Sequence, residues 1–134
     1  MKKVFITGGT GYIGTRLISQ LLQNGYNVSA LVRPGSEKKL PAGCKCIIAN
    51  AFDAMDFKDN IPEGCIFIQL LGVPHPGPSK KEQFKKIDLA SAKASAIAAQ
   101  LAEQAWIGPA GGYWFINTGV PLVGFVLTIF IMAI

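Results

Sequence analysis

The chain has 134 residues, 50% of them hydrophobic and 16% charged, with 13 Lys and Arg against 8 Asp and Glu for a net charge of +5. That length holds one domain with its own core, and a modest basic excess without arginine-rich tracts or interleaved aromatic and basic residues excludes nucleic acid as the expected partner. All the charge lies between Lys2 and Glu103 and none from Gln104 to Ile134, so the first part reads as soluble and the last as membrane-inserted. Cys44, Cys46 and Cys65 form neither a C-x-x-C pair nor a zinc spacing and read as reduced thiols. Lys2 and Lys3 precede an apolar run that glycines interrupt at once, which does not fit a signal peptide.

Val4-Phe5-Ile6 is a short β-favouring run that stops at glycines and predicts a buried strand. From Tyr12, the residues Ile13, Leu17, Leu21 and Leu22 recur at helical spacing, and Asn24-Gly25 closes that helix. Val28–Val32 predicts a second strand, ended by Arg33-Pro34-Gly35. Cys46–Ala49 predicts a third, and Asp53–Asn60 a short, weak helix. Cys65–Leu71 ("CIFIQLL") predicts a fourth strand. "GVPHPGP" predicts a loop, because its prolines cannot sustain a helix. Gln83–Ala105 predicts the longest soluble helix, with Phe84, Ile87, Ala90, Ala94, Ile97 and Leu101 on its buried stripe. Strands separated by helices give an α/β fold with a parallel sheet, built from right-handed crossovers.

The stretch "VFITGGTGYIG" carries the chemistry. Gly8, Gly11 and Gly14 fit G-x-x-G-x-x-G directly after a strand and at the opening of a helix. Glycine there permits a tight turn, close approach of backbone to a pyrophosphate, and packing of helix on strand. The phosphates then meet free N–H groups at the positive end of the helix. The second strand ends Leu31-Val32-Arg33, with no carboxylate for the ribose hydroxyls. An arginine suits a 2′-phosphate, so NADP(H) is expected, with NAD as the alternative if Arg33 is only a solvated cation.

"TGGTGYIG" after a strand resembles the extended and atypical short-chain dehydrogenases/reductases, which include nucleotide-sugar epimerase-like and NAD(P)H-binding proteins. The resemblance continues through "ALVRPGS", "IIANAFD", "IQLLGVPHPGPSK" and "FKKIDLASAKA", over about residues 3–105. It implies that Thr7, Gly8, Gly11, Tyr12, Ile13 and Gly14 belong to the cofactor-binding turn, with the three glycines lining the pyrophosphate. It also implies that Arg33 lies near the adenosine ribose and that Leu71 and Gly72 lie near the cofactor's ribose. The family has Gly-Asp where Ala49-Asn50 stand, and Asn50 keeps the capacity to hydrogen-bond adenine. Its catalytic pair is Tyr-x-x-x-Lys. Tyr12, Tyr26 and Tyr113 are followed four residues later by Arg16, Ala30 and Asn117, so no catalytic residue is assigned. The resemblance implies a truncated Rossmann-type sheet of order 3-2-1-4, the half that cradles ADP.

Other polar groups carry weaker signals. His75 reads as a loop histidine between prolines rather than a base, since no carboxylate partner is evident. Lys80, Lys81, Lys85 and Lys86 read either as a solvated helix start or as a patch drawn to anionic lipid heads. Asp53, Asp56 and Asp59 read as a polar helix face, and no metal site is expected.

The expected domain plan is a partial nucleotide-binding domain over 1–105, a linker over 106–112 and one transmembrane helix over 113–134. That last segment, at about 1.5 Å per residue, spans roughly 33 Å, enough for a bilayer core. Trp106, Tyr113 and Trp114 fit an interfacial belt, and Gly119, Pro121 and Gly124 a small-residue helix face. "YWFINTG" alternatively fits a degenerate fifth strand. Lysines on the N-terminal side place the folded part in the cytoplasm, on a single-pass membrane protein. The expected role is a catalytically incompetent accessory subunit of a larger membrane assembly, with an energy-transducing one as a candidate, and with other membrane subunits and the lipid bilayer as partners. The alternative is an NAD(P)-dependent oxidoreductase or epimerase, present as a fragment.

Overall fold

The computed structural model describes residues 1–73 and 77–105, with side chains to Ala102. His75, the expected linker 106–112 and the expected membrane helix 113–134, with its aromatic belt and glycines, lie outside the described residues.

Four strands form one parallel sheet: β1 (Lys3–Thr7), β2 (Asn27–Val32), β3 (Lys45–Ile48) and β4 (Ile66–Gln69), in the order β3-β2-β1-β4. Helix α1 (Tyr12–Gln23) joins β1 to β2, and the short α2 (Ala54–Phe57) continues as a 3-10 turn over Lys58–Asn60. After β4 a continuous helical run starts with a 3-10 turn at Pro78–Lys80. It passes through α3 (Lys81–Phe84) and a π-helical segment at Lys85–Leu89, and ends as α4 (Ala90–Ala105).

Alternation along the strands divides the core between the two faces of the sheet. On the α1 face, Val4, Ile6, Val28 and Ala30 pack with Ile18, and Leu17, Leu21 and Leu22 close the edges. On the other face, Phe5 lies 5.1 Å from Phe67 and 6.1 Å from Phe57, measured between ring centroids. Ala98 and Ala102 of α4 and Ala54 of α2 cover that aromatic cluster. Each fully buried side chain such as Phe5 or Ile18 contributes about 1.5–3 kcal/mol.

Helix α1 ends as the sequence indicates. Gly25 adopts φ +77°, and the Gly25 and Tyr26 amides donate back to the carbonyls of Leu22 and Leu21. Its buried stripe differs from the expected one: Ile18 is the fully buried anchor, while Ile13 is half exposed. Position 13 lies in the first turn, beyond the reach of the sheet.

Two expectations about the long helix are corrected. The helical run starts at Pro78, five residues before Gln83, because a proline is tolerated in the first turn where its missing N–H costs nothing. The buried stripe is Ser91, Ala92, Ala94, Ser95, Ala98 and Ala102, whereas Phe84 and Ile97 are exposed. Small residues let the helix approach the sheet closely, and the large side chains are left on the rotated outer face.

Candidate functional site

The turn between β1 and α1 is built by close backbone approaches. Gly8 has φ +75°, and a Cβ there would lie 2.6 Å from the Leu70 carbonyl carbon and the Leu71 nitrogen. A Cβ on Gly14 would lie 2.5 Å from the Gly8 oxygen. Both positions therefore require glycine for the chain's own packing, before any ligand is considered. Gly11 differs. It has φ −78° and ψ 174°, an extended conformation open to any residue, and a Cβ there would meet only the Gly8 oxygen, at 3.3 Å.

Gly11 is the N-cap of α1, with no side-chain cap and no acidic residue in the first turn. The Gly11 amide donates to the Gly8 carbonyl at 3.1 Å, and the first intrahelical bond runs from Thr15 N–H to the Gly11 carbonyl at 3.0 Å. The amides of Tyr12, Ile13 and Gly14 precede that bond and have no intrahelical acceptor. Three donors at the positive end of a helix, with nothing acidic beside them, form a receptor for an anion. A diphosphate fits this cradle in charge and in donor number. The exposed Tyr12 ring flanks it, with the Arg16 guanidinium 3.6 Å from the ring centroid and Arg16 Nη1 donating to the Tyr12 carbonyl at 3.1 Å.

Parallel register gathers the other expected residues at the same carboxyl edge of the sheet. Thr7 pairs with Leu31 on one side and Gln69 on the other, and Val32 pairs with Ile48. Arg33, Asn50, Leu71 and Gly72 all follow within three residues of those strand ends. Arg33 is exposed, and its Nε donates to the Ser36 hydroxyl at 3.3 Å. The Gly35 N–H holds the Glu37 carboxyl below its ordinary value, assisted by Glu37's own amide. The oxygen of the Asn50 side chain accepts from the Phe52 amide at 3.0 Å, which leaves its NH2 group to donate to a ring nitrogen. Thr7 is fully buried and turned away from the cleft into a polar network.

That network was not legible as a site. The Thr7 hydroxyl donates to the Gln69 side-chain oxygen, as does the Ser95 hydroxyl at 3.3 Å. Gln69 Nε2 donates to the Ser91 hydroxyl at 3.0 Å and to the Leu71 carbonyl at 3.2 Å. Asp88 completes the arrangement: both of its carboxylate oxygens accept from the Val73 amide, at 3.2 and 3.1 Å. A Cβ on Gly72 would lie 2.8 Å from Asp88 Oδ1. The exit of β4 is thereby tied to the helix at its π-helical segment, a distortion often found beside functional sites. The available signals were one glutamine inside an apolar strand and two serines four apart on an alanine-rich helix.

The three acidic residues expected on one polar face have separate uses. Asp53 caps α2 by accepting from the Met55 amide, Asp56 accepts from the Asn50 amide at 2.7 Å, and Asp59 pairs with Lys58 at 2.6 Å.

A parallel 3-2-1-4 sheet with an uncapped glycine turn after its first strand is the nucleotide-binding half of a Rossmann-like fold. The model of the NAD dependent epimerase/dehydratase family matches residues 4–94. The chain belongs to this family. It is similar to sterol-4-alpha-carboxylate 3-dehydrogenase, decarboxylating, of Dictyostelium discoideum, at 36% identity over 67 residues. That match covers 48% of this chain and 20% of the relative. Dihydroflavonol 4-reductase of Solanum lycopersicum is 53% identical over 38 residues, which cover 28% of this chain and 10% of the relative. Among solved structures, UDP-glucose 4-epimerase from Brucella ovis in complex with NAD superposes with a TM-score of 0.66 at 14% identity. It shares the fold, over 76% of this chain and 33% of its own length. The chain thus spans less than half the length of the proteins it matches.

Proposed function

We infer that the chain is a nucleotide-binding module that holds the ADP half of NAD(P)(H) and does not turn the cofactor over by itself. The observation that carries this reading is the uncapped first turn of α1, whose three leading amides lack intrahelical acceptors, with no acidic residue in that turn. NADP(H) is the preferred form, supported by the exposed Arg33 at the end of β2 and the lack of an acidic residue there. Calorimetric titration of the purified chain with NADPH and NADH tests it. Weak, millimolar-range binding with NADPH favoured is expected, and no heat from either contradicts the reading.

In this proposal the chain is an accessory subunit at the cytoplasmic side of a membrane, anchored by residues 113–134 and held among other membrane subunits. The uncharged sequence after Glu103 and the lack of a Tyr-x-x-x-Lys pair support it. Among the described residues, no helix is long and apolar enough to cross a membrane. The native size after detergent extraction is the test: a large assembly is expected, and a free monomer contradicts it.

A second reading is favoured by the family match over 4–94 and by the chain's short span of its relatives. The chain is then the nucleotide-binding part of an NAD(P)-dependent oxidoreductase or epimerase. Hydride transfer by the 134-residue chain alone would favour this reading over the first.

A further inference from the structure

Cys44 and Cys46 bracket the entry of β3, with Lys45 between them. Strand alternation brings residues two apart to one face, and the packing agrees. Cys44 is half-buried against the cluster of Val28 and Ala30 on the α1 face. Cys46 pairs in register with Ala30, a member of that same cluster. Ile47, the next residue, belongs to the opposite cluster, with Phe5 and Phe57. Both thiols therefore stand on the α1 face. Among the described residues β3 pairs only with β2, so they stand at an open edge of the sheet, and Cys46 is exposed there.

Same-face neighbours on a strand are about 6.6 Å apart between Cα atoms, close to the upper limit of about 6.8 Å for an unstrained disulfide. A bridging metal adds two bonds of about 2.3 Å each and spans that gap without stretch. Burial, then Cys46, pushes the Cys44 thiol up to about 11, and the contribution of Cys46 requires the two sulfurs to lie within electrostatic reach. A cation bound at neutral pH must displace the Cys44 proton, which favours a strongly thiophilic ion. The Cys44 thiol donates only a long bond, 3.8 Å, to the exposed Lys45 carbonyl, so little is lost with that proton. Among the described residues no third His, Cys, Asp or Glu completes a metal-holding group. Zinc, which requires four ligands, is therefore disfavoured, whereas a soft monovalent ion is satisfied by two thiolates.

We propose that Cys44 and Cys46 form a two-thiolate site for a soft monovalent cation of the copper(I) class. Two S–H bonds break, two copper–sulfur bonds form and two protons pass to solvent. Copper stays monovalent throughout, so the step uses no oxidant or reductant. The exposed position of Cys46 leaves the metal within reach of an incoming thiol, through which the ion exchanges. The pair is separate from the first turn of α1, so the site does not depend on a nucleotide being bound.

Anaerobic titration of the purified full chain in detergent with tetrakis(acetonitrile)copper(I), in competition with bathocuproine disulfonate, tests the proposal. The wild-type chain is expected to take up one copper(I) more than the double variant Cys44→Ser/Cys46→Ser. Each single variant should lose at least about tenfold in affinity, and Cys65→Ser should keep the wild-type value. Cys46 is exposed, so Cys46→Ser retains the fold and carries the test should Cys44→Ser fail to fold. Bound copper(I) should also slow the modification of Cys46 by iodoacetamide, and an equal concentration of zinc(II) should not displace it. The proposal is overturned if the double variant binds copper(I) as tightly as the wild-type chain, if Cys46→Ser leaves affinity unchanged, or if zinc(II) displaces the copper.

Discussion

Thr7 and Gln69 stand opposite each other in the β1–β4 register, and the buried Thr7 hydroxyl donates to the Gln69 side-chain oxygen. Gln69 also holds Ser91, Ser95 and the Leu71 carbonyl, so one side chain links two strands to α4. Gln69→Leu keeps the volume and removes every one of these bonds. The Thr7 and Ser95 hydroxyls lose their acceptor, while Ser91 keeps its bond to the Asp88 carbonyl; the loss should cost about 3 kcal/mol, which lowers the melting temperature by roughly 10 °C or more in a domain of this size. Thermal unfolding checks this, and a variant within about 2 °C of wild type would show the network to be dispensable.

Asp88 is expected to control the exit of β4. Asp88→Ala frees the Val73 amide, which both carboxylate oxygens now accept. Hydrogen exchange at Val73 should speed up by about tenfold, for a loss of about 1.4 kcal/mol. Exchange in the β1–β2 pair should stay as it is. Asp88→Asn retains one acceptor oxygen and should restore part of the protection.

Arg33 supplies the test of cofactor preference. Arg33→Ala removes the cation at the end of β2 and the bond to Ser36 at 3.3 Å. Affinity for 2′-phospho-ADP should fall by about tenfold, and affinity for ADP by much less. Equal losses for the two ligands would separate Arg33 from any 2′-phosphate.

The thiols should differ in reactivity. Burial, then the neighbouring Cys46, pushes the Cys44 thiol up to about 11, while Cys46 is exposed on β3. At about pH 8, iodoacetamide should modify Cys46 well before Cys44, because the thiolate is the nucleophile. The folded-state value is raised, so the Cys44 contribution to stability is complete below the unfolded-state value and is lost as pH rises from about 9 towards about 11. Peptide mass spectrometry after timed alkylation reads the order of modification.

Among the described residues no strand pairs with the outer side of β4. The Leu70 amide donates inward to the Thr7 carbonyl, so strand alternation turns the amides of Phe67 and Gln69 outward. Ile66 is also exposed. An apolar edge of this kind attracts pairing partners. In the purified full chain the Phe67 and Gln69 amides are expected to exchange faster than those of Phe5 and Ala30, and slow exchange would show that the edge is covered.

The strands were readable because each is a short β-favouring run next to a turn, and their order followed from the family resemblance. The glycine turn was readable because its spacing is imposed by backbone clashes at Gly8 and Gly14. The inward stripe of the long helix was read in part: Ala94 is buried and Ile87, Ala90 and Leu101 are half-buried, but hydrophobic spacing also favours Phe84 and Ile97, while the sheet selects small residues for close approach. Gln69 and Asp88 escaped notice because their partners are 22 and 15 residues away, beyond any local pattern. At Pro78 the helix-breaking rule was applied where a first-turn exception holds.

The central claim is that the first turn of α1 receives the diphosphate of NAD(P)(H), and Gly11 isolates that claim from folding. Gly8→Ala and Gly14→Ala must disturb the backbone itself, but Gly11 has an extended conformation, and a Cβ there would meet only the Gly8 oxygen, at 3.3 Å, so that a shift of a few tenths of an ångström accommodates it. Gly11→Ala should therefore stay folded, at a cost of about 1 kcal/mol or less. NADPH titration of the two folded proteins by calorimetry is the direct measurement. The account predicts binding to the wild-type chain and at least about a tenfold loss in Gly11→Ala. Equal NADPH affinity in both, or no binding to the wild-type chain, would contradict it.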